Sequence, residues 1–201
     1  PWATHIEECW FDPFLMDLRL RNPEVIETLV ADAEVWVERY DLDGLRMDAV
    51  PMMPRMALRR LRARLDRRLG RGGLHLYLLG ETFTSRGQQP LLRYYLGPHT
   101  LSGQFDFPVM WALRESLAGS QGFGALDAEV QISAAAWRGT GAVMAPFLGN
   151  HDVPRFISAI NGDRTDAPRV VTPALPESAE PFELLKMGWA FVLTQPGAPV
   201  I

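Results

Sequence analysis

Apolar residues recur at helical spacing in the first quarter of the chain, at Val25, Ile26, Leu29, Val30, Ala33, Trp36 and Val37. Asn22-Pro23-Glu24 stands just ahead of them. That order predicts a helix start: Asn caps, Pro fits the first turn, and Glu suits the positive end of the dipole. Asp43-Gly44 breaks the pattern, and "LRMDAV" follows as a short strand. In "MALRRLRARLDRRLG", Leu58, Leu61, Leu65 and Leu69 form one apolar stripe, with Gly70 as the C-terminal stop. "LHLYLLG" has no polar alternation, as expected of a strand buried on both faces. Downstream, the pattern predicts a helical stretch near Pro90–Leu96, a strand in "LSGQFDFP", and helices around Met110–Leu117 and Ala125–Trp137. A strand over Val143–Leu148, a Pro- and polar-rich loop around Gly162–Ser178 and a helix from about Phe182 to Leu193 follow, and "PGAPVI" opens one more strand. Alternating helices and strands predict a parallel sheet with helical crossovers.

Composition narrows the function classes. The chain has 201 residues, of which 47% are hydrophobic, enough for a real core. A net charge of −4 gives no global pull toward nucleic acid. The Arg-rich face of the second helix (Arg59, Arg60, Arg62, Arg64, Arg67, Arg68) reads as a solvated outer face whose stems cover apolar surface. No apolar run is long enough to cross a bilayer, so neither nucleic acid nor membrane is an expected partner. The single Cys9 excludes an internal disulfide framework. His5, His75, His99 and His151 show no zinc-ligand spacing, and no Gly-rich phosphate loop is present. Residue 1 is Pro, so the natural N-terminus is expected to lie upstream. The compartment, secreted or cytoplasmic, is therefore left open.

The chemistry gathers at predicted strand ends. "GLRMDAV" delivers Arg46 and Asp48, two apart and so on one face. "LLGETF" delivers Glu81, "QFDFP" delivers Asp106, and "FLGNHD" delivers Asn150, His151 and Asp152. One acid after a strand is ordinarily a cap or turn residue. Several such acids are harder to explain, because burying unpaired carboxylates is costly. In a (β/α)8 barrel all C-terminal strand ends converge on one rim. Two carboxyl groups about 5–5.5 Å apart across a cleft cleave glycosides with retention, one as nucleophile and one as acid then base. Arg46 beside Asp48 suits the nucleophile, and Glu81 suits the acid/base. Phe83, Phe107 and Phe156 are candidates for sugar stacking, although aromatic burial needs no ligand.

These blocks, in this order, resemble the α-amylase family, glycoside hydrolase family 13. "FMDLRLRNPEV" is similar to the segment leading back into that family's barrel after its long loop domain. "GQFDFP" is similar to its sixth strand, and "TQPGAPVI" to its last. The resemblance implies a partial (β/α)8 TIM barrel, roughly strands 4 to 8 with their helices. Residues 1–20 would end the inserted loop domain, and residues 21–201 would form the C-terminal part of the catalytic barrel. The remaining strands and any C-terminal β-domain would lie outside these residues, and the isolated fragment would be poorly stable and inactive. The implied activity is a retaining α-glucoside hydrolase acting on α-1,4-glucans or malto-oligosaccharides through a covalent glycosyl-enzyme intermediate. Alternatives are a transglycosylase or isomerase such as trehalose synthase, or a non-catalytic glucan-binding relative. Asp48 would be the nucleophile, Glu81 the acid/base and Asp152 the third carboxylate. Arg46, His151 and Asn150 would bind substrate, with Arg46 also orienting Asp48. Many members continue the nucleophile block with Lys-His, which serves the leaving-group side and a nearby calcium; here those positions are Pro51 and Met52. No cofactor is expected for the chemistry, no metal ligand is assigned, and a structural calcium is left open.

Overall fold

In the computed structural model, which describes residues 4–69, 75–162 and 175–201, the sheet begins at a forced glycine. A Cβ on Gly44 would lie 2.2 Å from the Tyr77 carbonyl oxygen. From there β1 (Gly44–Met47) runs parallel to β2 (Tyr77–Gly80), and β2 runs parallel to β3 (Gly103–Gln104). Arg46 is in register with Leu79, Met47 with Gly80, and Gly80 with Gln104. Parallel neighbours need long crossovers, and helices supply them. Between β1 and β2 runs α2 (Arg55–Leu69), and between β2 and β3 runs α3 (Gln89–Tyr94); α1 (Pro23–Tyr40) precedes β1, and α4 (Phe107–Leu117), α5 (Phe123–Trp137), α6 (Phe156–Ile160) and α7 (Glu180–Thr194) follow β3. Among the described residues no helix is long and apolar enough to cross a membrane.

The chain divides into two compact units. The first comprises Pro1–Phe83, Leu91–Gln104 and Gly139–Ala142; the second comprises Thr84–Pro90, Phe105–Arg138 and Val143–Ile201.

In the first unit, Asn22 caps α1 by accepting from the Glu24 N–H at 3.0 Å, with Pro23 in the first turn, as the sequence predicts. The apolar stripe of α1 divides. Ile26, Val30 and Val37 are buried, whereas Leu29 and Trp36 are exposed. Buried Glu34 completes the inner face, taking hydrogen bonds from Arg64 at 2.7 Å and from Arg68. Burial opposes its charge, but the two guanidinium hydrogen bonds outweigh burial and lower its pKa. On α2, Leu58, Leu61 and Leu65 are buried as expected. The expectation of a solvated arginine face needs correction at Arg62, which is buried. It donates to the Thr100 and Leu76 carbonyls and to Ser102 Oγ, which fastens α2 to the starts of β2 and β3. Gly70 and residues 163–174 of the expected loop lie outside the described residues.

In the second unit the expected strand over Val143–Leu148 is reduced to two single parallel bridges, Phe105 with Ala145 and Phe147 with Val200. Pro146 sits between them and has no N–H for a ladder. The backbone still keeps the parallel course: Asp106 N–H donates to Ala145 O at 3.1 Å and Val200 N–H to Pro146 O at 3.0 Å. Phe105, Phe107 and Phe147 pack edge-on, the last two with centroids 4.9 Å apart. Beside them, Val109, Ala112, Leu113, Leu117, Leu126, Leu148, Phe156 and Val192 form the core. Helix α7 approaches closely because residue 188 is Gly; a Cβ there would lie 3.0 Å from both Leu148 methyls.

Candidate active site

Strand β1 ends by presenting Arg46 and then Asp48, and strand β2 ends by presenting Glu81. The ladder continues one step past both strands: Glu81 N–H donates to Met47 O and Val50 N–H donates to Glu81 O, each at 2.8 Å. This fixes the Glu81 backbone against the turn that follows Asp48. Gly80 permits it, since a Cβ there would lie 2.3 Å from Leu101 Cδ1.

The side chains then meet. Arg46 Nη1 lies 2.6 Å from Asp48 Oδ1, and Arg46 Nη2 lies 3.6 Å from Glu81 Oε1. One guanidinium thus faces two carboxylates. The second Glu81 oxygen accepts from the Ala49 N–H at 3.0 Å. The two acids differ in exposure: the Asp48 side chain is 71% exposed and that of Glu81 only 6%. A buried carboxyl beside an open one is the asymmetry an acid–nucleophile pair requires.

Sequence reasoning misses Ala49, whose backbone N–H meets the Glu81 carboxyl. It adopts φ 42°, ψ 48°, the left-handed region that favours glycine. Non-glycine residues held there cost about 1–3 kcal/mol and concentrate at sites of function. Here the conformation aims the Ala49 N–H at Glu81. Nothing about an alanine in sequence signals that. Pro51 follows in the first turn of a 3-10 turn, Val50–Met52, where its missing N–H is not needed.

In the second unit, Asn150, His151 and Asp152 form a local cluster. Asn150 Oδ1 accepts from the Asp152 N–H at 3.0 Å, and Asn150 Nδ2 donates to Asp152 Oδ2 at 3.3 Å. His151 Nε2 lies 3.4 Å from Asp152 Oδ1. Asp152 and His151 are both exposed. The segment is braced by buried Arg114 of α4, which donates to Leu148 O at 2.9 Å and to Pro154 O at 2.7 Å, one carbonyl on each side of the cluster. Burial lowers the Arg114 pKa, and the Phe156 ring lies 5.4 Å from the guanidinium carbon. Arg114 is a second residue missed in sequence. Its signal was a lone cation on the apolar face of "FPVMWALRESL".

Asp106 has the cap role. It accepts from Val109 N–H at 3.3 Å, Ser133 Oγ at 3.4 Å and Trp137 Nε1 at 3.2 Å. Burial raises its pKa, against the pull of those neutral donors. Phe107 and Phe156 are core residues, and Phe83 is exposed. Among the described residues, no three His, Cys, Asp or Glu side chains are gathered as a metal ion would need.

The model of the alpha-amylase catalytic domain matches residues 7–201. Alpha-amylase 1 of Schizosaccharomyces pombe is 27% identical over 177 residues, which cover 84% of this chain and 26% of the relative. The chain therefore spans about a quarter of the length of that relative. Among solved structures, an Anoxybacillus alpha-amylase matches with a TM-score of 0.76 and 25% identity, over 98% of this chain and 39% of that one. The alpha-amylase of Geobacillus thermoleovorans complexed with acarbose matches equally, with a TM-score of 0.76 and 25% identity, over 99% of this chain and 40% of that one.

Proposed function

The chain belongs to the alpha-amylase family, whose catalytic-domain model matches residues 7–201, and from that premise we propose that the protein carrying it is a retaining α-glucan hydrolase. The expected fold class, part of a (β/α)8 barrel, agrees with the alpha-amylase structures it resembles. The observation that carries the functional reading is the single guanidinium of Arg46 facing both Asp48 and Glu81.

The chemistry runs in two steps. An Asp48 carboxylate oxygen attacks the anomeric carbon, and the bond from that carbon to the glycosidic oxygen breaks. Glu81 gives its proton to the departing oxygen, which leaves as a free hydroxyl. Water then attacks the same carbon. Glu81 takes the proton from that water, and the bond to Asp48 breaks, which restores both acids. Arg46 orients Asp48, and the Ala49 N–H orients Glu81. Asp152, with Asn150 and His151, is carried by the family resemblance as the third carboxylate, accepting from sugar hydroxyls. Hydrogen bonds of this kind strengthen as positive charge develops in the transition state. The substrate class is an α-1,4-glucan or malto-oligosaccharide, a reading supported by the acarbose held by the Geobacillus relative.

A second reading, transfer to a sugar or isomerisation in place of hydrolysis, is favoured by one observation. Pro51 and Met52 occupy the positions that carry Lys-His in many members, so the leaving-group side of the site differs. Product analysis on maltotriose, using the protein as encoded with whatever flanks these residues, separates the readings. Hydrolysis gives maltose and glucose. Longer oligosaccharides or a rearranged disaccharide would instead establish transfer. Binding of maltotriose with no product of any of these kinds would sink both.

A further inference from the structure

Strand β2 is held differently on its two sides. Toward β1 the backbone ladder continues past the strand, from the Glu81 N–H to Met47 O and from the Val50 N–H to Glu81 O. Toward β3 the pairing ends at Gly80 with Gln104, because β3 has only two residues. A side chain takes over there. Thr82 Oγ1 donates to Gln104 Oε1 at 2.6 Å, and Gln104 Nε2 donates to Leu92 O of α3 at 2.6 Å. The direction of the carboxamide is forced. A carbonyl can only accept, so the NH2 end faces Leu92 and the oxygen is left for the Thr82 hydroxyl. The same oxygen lies across Gly80, where a Cβ would sit 3.1 Å from it. Gly80 and Thr82, two apart, thus both face Gln104, while Glu81 between them turns to the Ala49 N–H. Thr82 and Gln104 are fully buried. Filling space does not call for this pair, since replacing both partners of a buried hydrogen bond by apolar groups of like shape can be nearly neutral. What the polar pair adds is direction. A satisfied buried bond selects one arrangement, and β-branched Thr82 has few rotamers in which to make it.

Resting on the catalytic reading above, we propose that Thr82 and Gln104 are positioning residues for that reaction: their hydrogen bond fixes the rotation of the chain just past Glu81 and so aims the Glu81 carboxyl at the departing oxygen. Neither is asked to touch substrate. Without the hydroxyl, the first residue past Glu81 loses its tie to β3, and the carboxyl is free to tilt away from the Ala49 N–H. Misplacement of a reacting group by about an ångström costs on the order of a hundredfold in rate. The loss falls on the step that needs the acid.

The test compares Thr82→Val, which keeps the shape and removes the hydroxyl, with wild type, Thr82→Ser and Glu81→Gln on two substrates, in the protein as encoded. One is maltotriose, whose leaving group must be protonated. The other is an aryl α-maltoside with an acidic phenol, which departs unaided. The readout is kcat/KM, which counts the departure of the leaving group and not the later attack of water. For Thr82→Val the expected loss on maltotriose is about tenfold, part of what an ångström of misplacement costs. The loss on the aryl maltoside should be several-fold smaller, and Thr82→Ser should recover most of the rate. Glu81→Gln should show the same asymmetry more strongly. Equal losses on both substrates, no loss, or no recovery in Thr82→Ser would overturn the positioning role while the Glu81→Gln asymmetry stood. Full activity of Glu81→Gln would overturn the catalytic reading and the positioning role with it. If Thr82→Val does not fold, the double variant Thr82→Val with Gln104→Met removes both polar partners at once. Leu92 O still accepts from the Tyr95 N–H at 3.2 Å, so the double variant strands no buried polar group of this pair. The same asymmetry there supports the proposal, and equal losses or none overturn it.

Discussion

Glu81 and Asp106 look alike in sequence and differ in what surrounds them. Each is a carboxyl just past the C-terminal end of a strand, Glu81 directly after β2 and Asp106 two residues after β3, and each is buried. Glu81 faces a guanidinium shared with an exposed acid and takes one backbone N–H. Asp106 is held by three neutral donors from α4 and α5, and none of them is a cation. The first arrangement leaves a carboxyl poised beside an open neighbour. The second consumes the carboxyl in capping a helix and joining it to another. A strand-ending acid is therefore not a site by position alone. Its partners decide whether it does chemistry or holds structure.

Three measurements sharpen that contrast. The largest effect is on activity. Glu81→Gln should lower kcat on maltotriose by about 10²–10⁴-fold, the usual contribution of a positioned general acid. Asp106→Asn, where it folds, should retain about a tenth of wild-type activity or more, because a cap acts on stability. Comparable losses would erase the distinction. Next is stability. Asp106→Ala removes the cap and an acceptor of the Trp137 Nε1 and Ser133 Oγ hydrogen bonds, so denaturant unfolding should register a loss of about 2–4 kcal/mol. The smallest effect is the pH dependence. Burial raises the Asp106 pKa above its ordinary 3.8, so the folded state holds its proton more tightly than the unfolded one. The contribution is fully present below 3.8 and is lost as pH rises through the folded-state value. Wild-type stability measured against Asp106→Asn should fall across that window and be flat on either side. A rise with pH would mean the donors, not burial, dominate.

Much of this was legible in advance, for physical reasons. The Asn22-Pro23-Glu24 start of α1 was readable because capping is local chemistry. The start of β1 was readable because Asp43-Gly44 breaks the helical pattern, and β2 because "LHLYLLG" lacks polar alternation. The strand expected over Val143–Leu148 was not, since its apolar pattern hides the missing N–H of Pro146. Helix α6 is only five residues long and has no side-chain cap, so no local signal announces it. At the site, Arg46, Asp48 and Glu81 were legible as residue types. Ala49 was not, because its contribution is a backbone direction. Arg62 and Arg114 were not, because their partners are carbonyls distant in sequence.

The most direct test of the Asp48–Glu81 pair is covalent trapping. The protein as encoded is treated with a 5-fluoro α-glucosyl fluoride, whose ring fluorine slows removal of the glycosyl-enzyme by water while the fluoride leaving group lets it form, and peptides are mapped by mass spectrometry. The account predicts a single sugar adduct on Asp48 that Asp48→Asn abolishes. An adduct on another carboxylate, or inverted product with no adduct at all, would contradict it.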